Sequence, residues 1–146
     1  MSEIMSDAMA DLVAKEAITE ALHRYCVAVD RIDEVTWWHV WHRDATAHYE
    51  EIFDGSAASL MAWIFETHRS CMATSHQLSN VLIDVAGLTA TSESYVTACI
   101  RAGGTDVVAR GRYFDSWSNR DGAWRIDERR YQNDILQVIP VTTTET

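Results

Sequence analysis

Two residues on separate stretches carry groups suited to moving a proton: Asp30 and His76. Asp30 ends the segment KEAITEALHRYCVAVD (15–30), in which Ile18, Ala21, Leu22, Tyr25, Cys26 and Val29 recur at three- and four-residue steps. That spacing is one apolar stripe of a helix. Tyr25 lies on the stripe and Asp30 closes it. A carboxylate at the inner end of a buried face costs several kcal/mol (about 3–5 when left unpaired) unless something pairs with it. In Thr74–Val85, alternation groups His76 with Leu78, Asn80 and Leu82. An aspartate bonded to one imidazole nitrogen fixes the tautomer, so that the other nitrogen can take a proton. A nearby tyrosine hydroxyl and an arginine would stabilise developing negative charge or assist a leaving group. No serine or cysteine sits beside the pair as a nucleophile, which favours proton transfer over acyl transfer. The plainer reading is a satisfied core histidine and a helix-end ion pair, and spacing alone does not separate the two.

The elements that must hold these residues follow from the pattern. Residues 1–8 read as a loose lead-in, with Ser6 or Asp7 able to cap a first helix that runs to about Arg31. Asp33 is placed to cap a short helix from Glu34 to about His42, whose Trp37, Trp38 and Trp41 are expected to pack on the first helix. Thr46–Phe53 reads as a strand, Asp54-Gly55-Ser56 as a turn and cap, and Ala57 to about Arg69 as a third helix with Leu60, Met61, Ile64 and Phe65 on one face. Thr74–Val85, Thr89–Arg101, Val107–Trp117 and Ala123–Leu136 are rich in β-branched and aromatic residues and are separated by short turns. Helices followed by successive strands indicate an α+β fold with helices on one face of a curved sheet. By alternation Gly111, Tyr113, Asp115 and Trp117 share one face, as do Arg125, Asp127, Arg129 and Tyr131.

The bulk properties narrow the class. With 146 residues, 47% hydrophobic and 23% charged, the chain fits one globular domain, with a core spanning about 8–138 and a polar C-terminal tail. A net charge of −10 argues against nucleic acid and anionic membranes as partners. No apolar run reaches the roughly 20 residues of a membrane-crossing helix, and the acidic start lacks the pattern of a signal peptide. A cytoplasmic location is expected. Cys26, Cys71 and Cys99, odd in number and far apart, suit reduced thiols.

Other polar clusters read more simply. His39, His42, Asp44 and His48 crowd one region, but no motif such as HExxH accompanies them, so no metal site is expected. His23-Arg24 and His68-Arg69 read as solvated helix faces. Gly103-Gly104 and Asp121-Gly122 read as turns.

The segments AITEALHRYCVAVD, WWHVWHRDA, SHQLSNVLIDV, SESYVTA, RGRYFDSW and DGAWRIDERR together resemble the SnoaL-like branch of the NTF2-like superfamily. These are α+β cone folds that include scytalone dehydratase, bile acid 7α-dehydratase, hexachlorocyclohexane dehydrochlorinase and polyketide cyclases. The resemblance implies that Asp30 and His76 form a dyad with the histidine as base. It also implies that Tyr25 sits beside the leaving hydroxyl and that Arg129 or Arg130 is an active-site arginine. Arg129 is favoured because it shares a face with Tyr131. Where the bile acid enzyme carries a strand acid, the nearest residue here is Cys99. The resemblance further implies no metal or organic cofactor, and a homodimer or homotrimer formed through the outer sheet face. Six tryptophans, five tyrosines and three phenylalanines can build core and pocket wall together. Tyr113, Asn80, Trp41 and Tyr49 are assigned to that wall, around a small hydrophobic, ring-bearing substrate. The expected activity is a cofactor-free lyase of the dehydratase type. An isomerase or cyclase acting on a steroid- or polyketide-like substrate, or a ligand-binding module without turnover, is the alternative.

Overall fold

The computed structural model describes residues 2–142. Three helices, α1 (Ser2–Arg31), α2 (Glu34–Val40) and α3 (Ala57–Arg69), accompany six strands. The strands are β1 (Trp41–Tyr49), β2 (Phe53–Ser56), β3 (Ala73–Ala86), β4 (Thr89–Ala102), β5 (Thr105–Arg120) and β6 (Ala123–Pro140). They form one sheet in the order β2-β1-β6-β5-β4-β3, in which β1 and β6 run parallel and every other pair is antiparallel. The result is an α+β cone: the sheet curves over the apolar faces of the helices. None of these helices is long and apolar enough to cross a membrane.

The apolar stripe of α1 forms the centre of the core, with Ile18, Leu22, Tyr25 and Val29 almost fully buried. Trp37 and Trp41 stack in parallel beside it, ring centroids 5.2 Å apart. The tail 143–146 lies outside the described residues. At the other end, the expected loose lead-in is helical from Ser2. Its residues are mostly helix formers with no glycine or proline to stop the helix, although Ser6–Val13 are all exposed.

α1 ends where Ile32 takes a left-handed φ of +53°, and the Asp33 N–H bonds back to the Ala28 carbonyl at 2.9 Å. This six-to-one bond is the Schellman ending of a helix. It diverts the amide that would otherwise satisfy the Val29 carbonyl. Asp33 then caps α2, accepting from the Thr36 amide at 3.1 Å, and Ser56 caps α3 in the same way. α2 ends at Val40, short of His42, because Trp41 is already extended. The expected Thr46–Phe53 strand is two strands: Glu50, at a φ of +45°, breaks it, and the chain doubles back as β2.

Register irregularities in the sheet decide which side chains face inward. Between Ser79 and Leu82 the β3–β4 register slips, with Asn80 at a φ of +50°. A bulge inserts an extra residue and exchanges the faces beyond it. His76 and Leu78 before the bulge, and Val81, Ile83 and Val85 after it, therefore all point inward, whereas Asn80 and Leu82 are exposed. A second slip, between Ser116 and Trp117 of β5, brings both Ile126 and Arg129 of β6 inward although they are three residues apart. A third lies at Arg110/Gly111. There the Tyr131 side chain lies so close to Gly111 that a Cβ would collide with it and with the Gln132 carbonyl.

Candidate active site

The last turn of α1 brings Asp30 against the start of β3. One carboxylate oxygen, Oδ1, accepts from His76 Nδ1 at 2.7 Å and from the Thr74 hydroxyl at 3.0 Å. The other, Oδ2, accepts from the His76 backbone amide at 2.9 Å. A carboxylate can only accept, so Nδ1 carries the hydrogen and Nε2 of the neutral ring holds a lone pair. Partial burial alone would push the Asp30 carboxyl up. The bonds from the His76 ring and amide and from Thr74 outweigh it and hold the group below its ordinary value.

The His76 ring borders a largely apolar cavity of about 140 Å³ between α3 and the sheet. Ile64, Val96, Ala98 and Ile100 supply much of the apolar wall. Four tyrosines, Tyr25, Tyr49, Tyr113 and Tyr131, line it as well. The Tyr25 and Tyr49 hydroxyls are hydrogen-bonded at 2.9 Å. Burial pushes the pKa of Tyr25, Tyr49 and Tyr113 upward, and that of Tyr131 to about 12. All four therefore keep their protons at neutral pH and present hydroxyls, not phenolates.

Behind the tyrosines lies Arg129, fully buried and bidentate to Asp115 at 2.7 and 2.8 Å. Its guanidinium carbon lies 3.7 Å from the Tyr113 ring centre and 4.2 Å from that of Tyr25. Burial disfavours the charge, but the Asp115 carboxylate outweighs it and keeps the guanidinium protonated. The rings are thus held between a fixed cation and the cavity.

The sequence model of the SnoaL-like domain matches residues 10–130. The chain belongs to the SnoaL-like family. No functionally curated protein matches it. Solved structures similar to this SnoaL-like chain include a candidate scytalone dehydratase from Novosphingobium aromaticivorans, with 21% identity and a TM-score of 0.82 over 95% of this chain and 99% of that one. A hexachlorocyclohexane dehydrochlorinase, LinA-type3, from Novosphingobium barchaimii is 17% identical, with a TM-score of 0.78 over 90% and 94% of the two chains. A Kribbella flavida protein, Kfla4162, is 14% identical, with a TM-score of 0.81 over 87% and 95%. At these identities the likeness establishes the NTF2-like cone.

Within this SnoaL-like cone the residues singled out from the sequence fall into three groups. His76, Tyr25, Tyr49 and Tyr113 border the cavity, with Asp30 bonded to the first and Arg129 packed behind the rings. Arg129 faces inward and Arg130 is exposed, as the alternation with Tyr131 suggests. Two assignments need correction. Trp41 does not line the cavity; stacked on Trp37, it is core. Asn80 is exposed, because the bulge turns it out. On β4, Ala98 stands opposite His76 and lines the cavity.

His68 is the residue that the sequence reading missed. It is 9% exposed, not solvated, and borders the cavity. The signal was present: Leu60, Ile64 and His68 follow at four-residue steps on α3, although the adjacent Arg69 suggested a wet face. Among the described residues no group of three or more His, Cys, Asp or Glu side chains is arranged to hold a metal ion.

Proposed function

We propose that this chain is a lyase that dehydrates a small, ring-bearing β-hydroxy carbonyl compound, with His76 as the base. His76 Nε2 takes the proton from the carbon next to the carbonyl. Asp30 holds the ring by Nδ1 and stabilises the positive charge that appears on it. In the hydrogen-bonded Tyr25–Tyr49 pair one hydroxyl donates to the other, and the second donates its own hydrogen to the carbonyl oxygen as it becomes an oxyanion, with the Arg129 cation behind them. The electron pair left on carbon forms the double bond as the neighbouring C–O bond breaks. The imidazolium returns its proton to the departing hydroxide, so water leaves and the base is restored.

The observation that carries the reading is the 2.7 Å bond from Asp30 to His76, a residue that borders a largely apolar cavity. The dehydratase and dehydrochlorinase among the similar folds add to it by analogy.

The test is a panel of cyclic β-hydroxy ketones, followed by the ultraviolet absorbance of the conjugated product. Turnover by the wild type that falls about 10²- to 10⁴-fold in His76→Ala and Asp30→Asn is the expected result. Full turnover in His76→Ala would remove the base from the scheme. The same deprotonated intermediate can instead be reprotonated at another carbon. A product of unchanged mass would therefore identify an isomerase or cyclase.

A further inference from the structure

His68 is a cavity-facing group that the proposed reaction leaves unused. Its Nδ1 lies 2.9 Å from the Val29 carbonyl oxygen. A carbonyl only accepts, so Nδ1 carries the hydrogen and Nε2 of the neutral ring is a bare lone pair. The bond has a structural purpose, since the Schellman ending of α1 leaves the Val29 carbonyl without its helical amide. That purpose explains one edge of the ring and not the other. Nε2 has no protein partner among the described residues, and it is not among the interior polar atoms sealed from solvent. The ring borders the same cavity as His76, with centroids 5.5 Å apart.

The two imidazoles are backed differently by neighbouring residues of α1. A carboxylate stands behind His76 and a neutral carbonyl behind His68. Burial pushes the pKa of His68 below its ordinary value, against the raising effect of the Val29 carbonyl, and the nearby His76 pushes the same way as burial. One ring is therefore suited to accept a proton and hold the charge. The other stays a neutral acceptor. The remaining lining residues with polar side-chain atoms are Trp63, an indole donor, and five that carry hydroxyls: Tyr131 gives its hydrogen to Asn133 Oδ1, Thr67 to the Trp63 carbonyl, and one of Tyr25 and Tyr49 to the other. The two Nε2 atoms are the cavity's imidazole lone pairs, and the proposed reaction uses one of them.

We infer that His68 Nε2 receives a hydrogen bond from a hydroxyl of the substrate beside the carbon that His76 deprotonates, and so selects alcohols over isosteres without an O–H, such as halides. The inference rests on the reading of this cavity as the substrate site. A halide in that place leaves a desolvated lone pair without a partner, which weakens binding.

Two probes of nearly equal shape, 2-indanol and 2-fluoroindane, test the inference by calorimetric titration of the full chain. The wild type is expected to favour the alcohol about tenfold. In His68→Asn the side-chain amide can keep the bond to the Val29 carbonyl, so thermal stability should hold while the preference disappears. His68→Gln carries its amide oxygen near the Nε2 position and should restore part of the preference. His76→Phe should retain it. A preference that survives in His68→Asn, or that is lost only in His76→Phe, overturns the assignment and leaves His76 as the base. Failure of the wild type to bind either probe overturns this inference together with the reading of the cavity as a substrate site.

Discussion

The buried pair Arg129–Asp115 should be the costliest single interaction in the chain to break. Both side chains are fully sequestered and joined by two short bonds. In Asp115→Asn the shape is conserved, but the countercharge is lost and an amide N–H is turned toward a guanidinium N–H. One charge-assisted bond contributes about 1.5–3 kcal/mol, and removing one partner of a buried pair costs about 3–5 kcal/mol in all. The faces of Tyr25 and Tyr113 recover only part of that. For a chain of this length the loss corresponds to a fall of roughly 10 °C or more in Tm. Urea and thermal unfolding followed by circular dichroism would measure it. The double variant Asp115→Leu with Arg129→Met, apolar and similar in volume, should regain most of the lost stability, because the penalty comes from an unpaired charge and not from lost volume. A change below about 1 kcal/mol in Asp115→Asn, or a double variant no more stable than the single, would refute the reasoning.

Two further outcomes follow from the same structure. Asp30 ionises more readily in the folded chain than its ordinary value of 3.8. Its contribution to stability is therefore complete above that value and is lost as pH falls through the lower folded value. Acid unfolding of Asp30→Asn, followed by tryptophan fluorescence, should show a flatter dependence below about pH 4 than the wild type. Asn80→Val places a β-branched residue at a left-handed φ of +50° and should cost about 1–3 kcal/mol in urea unfolding, whereas Asn80→Gly should be nearly neutral.

Much of the architecture was legible in local patterns. The helical stripe from Ile18 to Val29, the cap at Asp33 and the long β-branched runs after Cys71 each specify their element from within a few residues. Local order also placed Asp30 at a helix end and His76 near a strand start, which is why the pair could be nominated before its separation was known.

What local pattern could not carry was every feature that depends on a partner distant in sequence. Strict alternation put Asn80 inside, but the β3–β4 register slip turns it out, and register is a property of two strands. Helical spacing puts Trp41 with the rings that pack on the first helix, and the stack on Trp37 shows it to be core and not cavity wall. Asp115 and Arg129 each look like an expensive burial until the other is seen to neutralise it. His68 looked wet beside Arg69; only the approach of α3 to the end of α1 gives its Nδ1 a carbonyl to bind. Periodicity is set by the backbone within one element, whereas the cost of burying a polar group is decided by what the rest of the chain brings within about 3 Å of it.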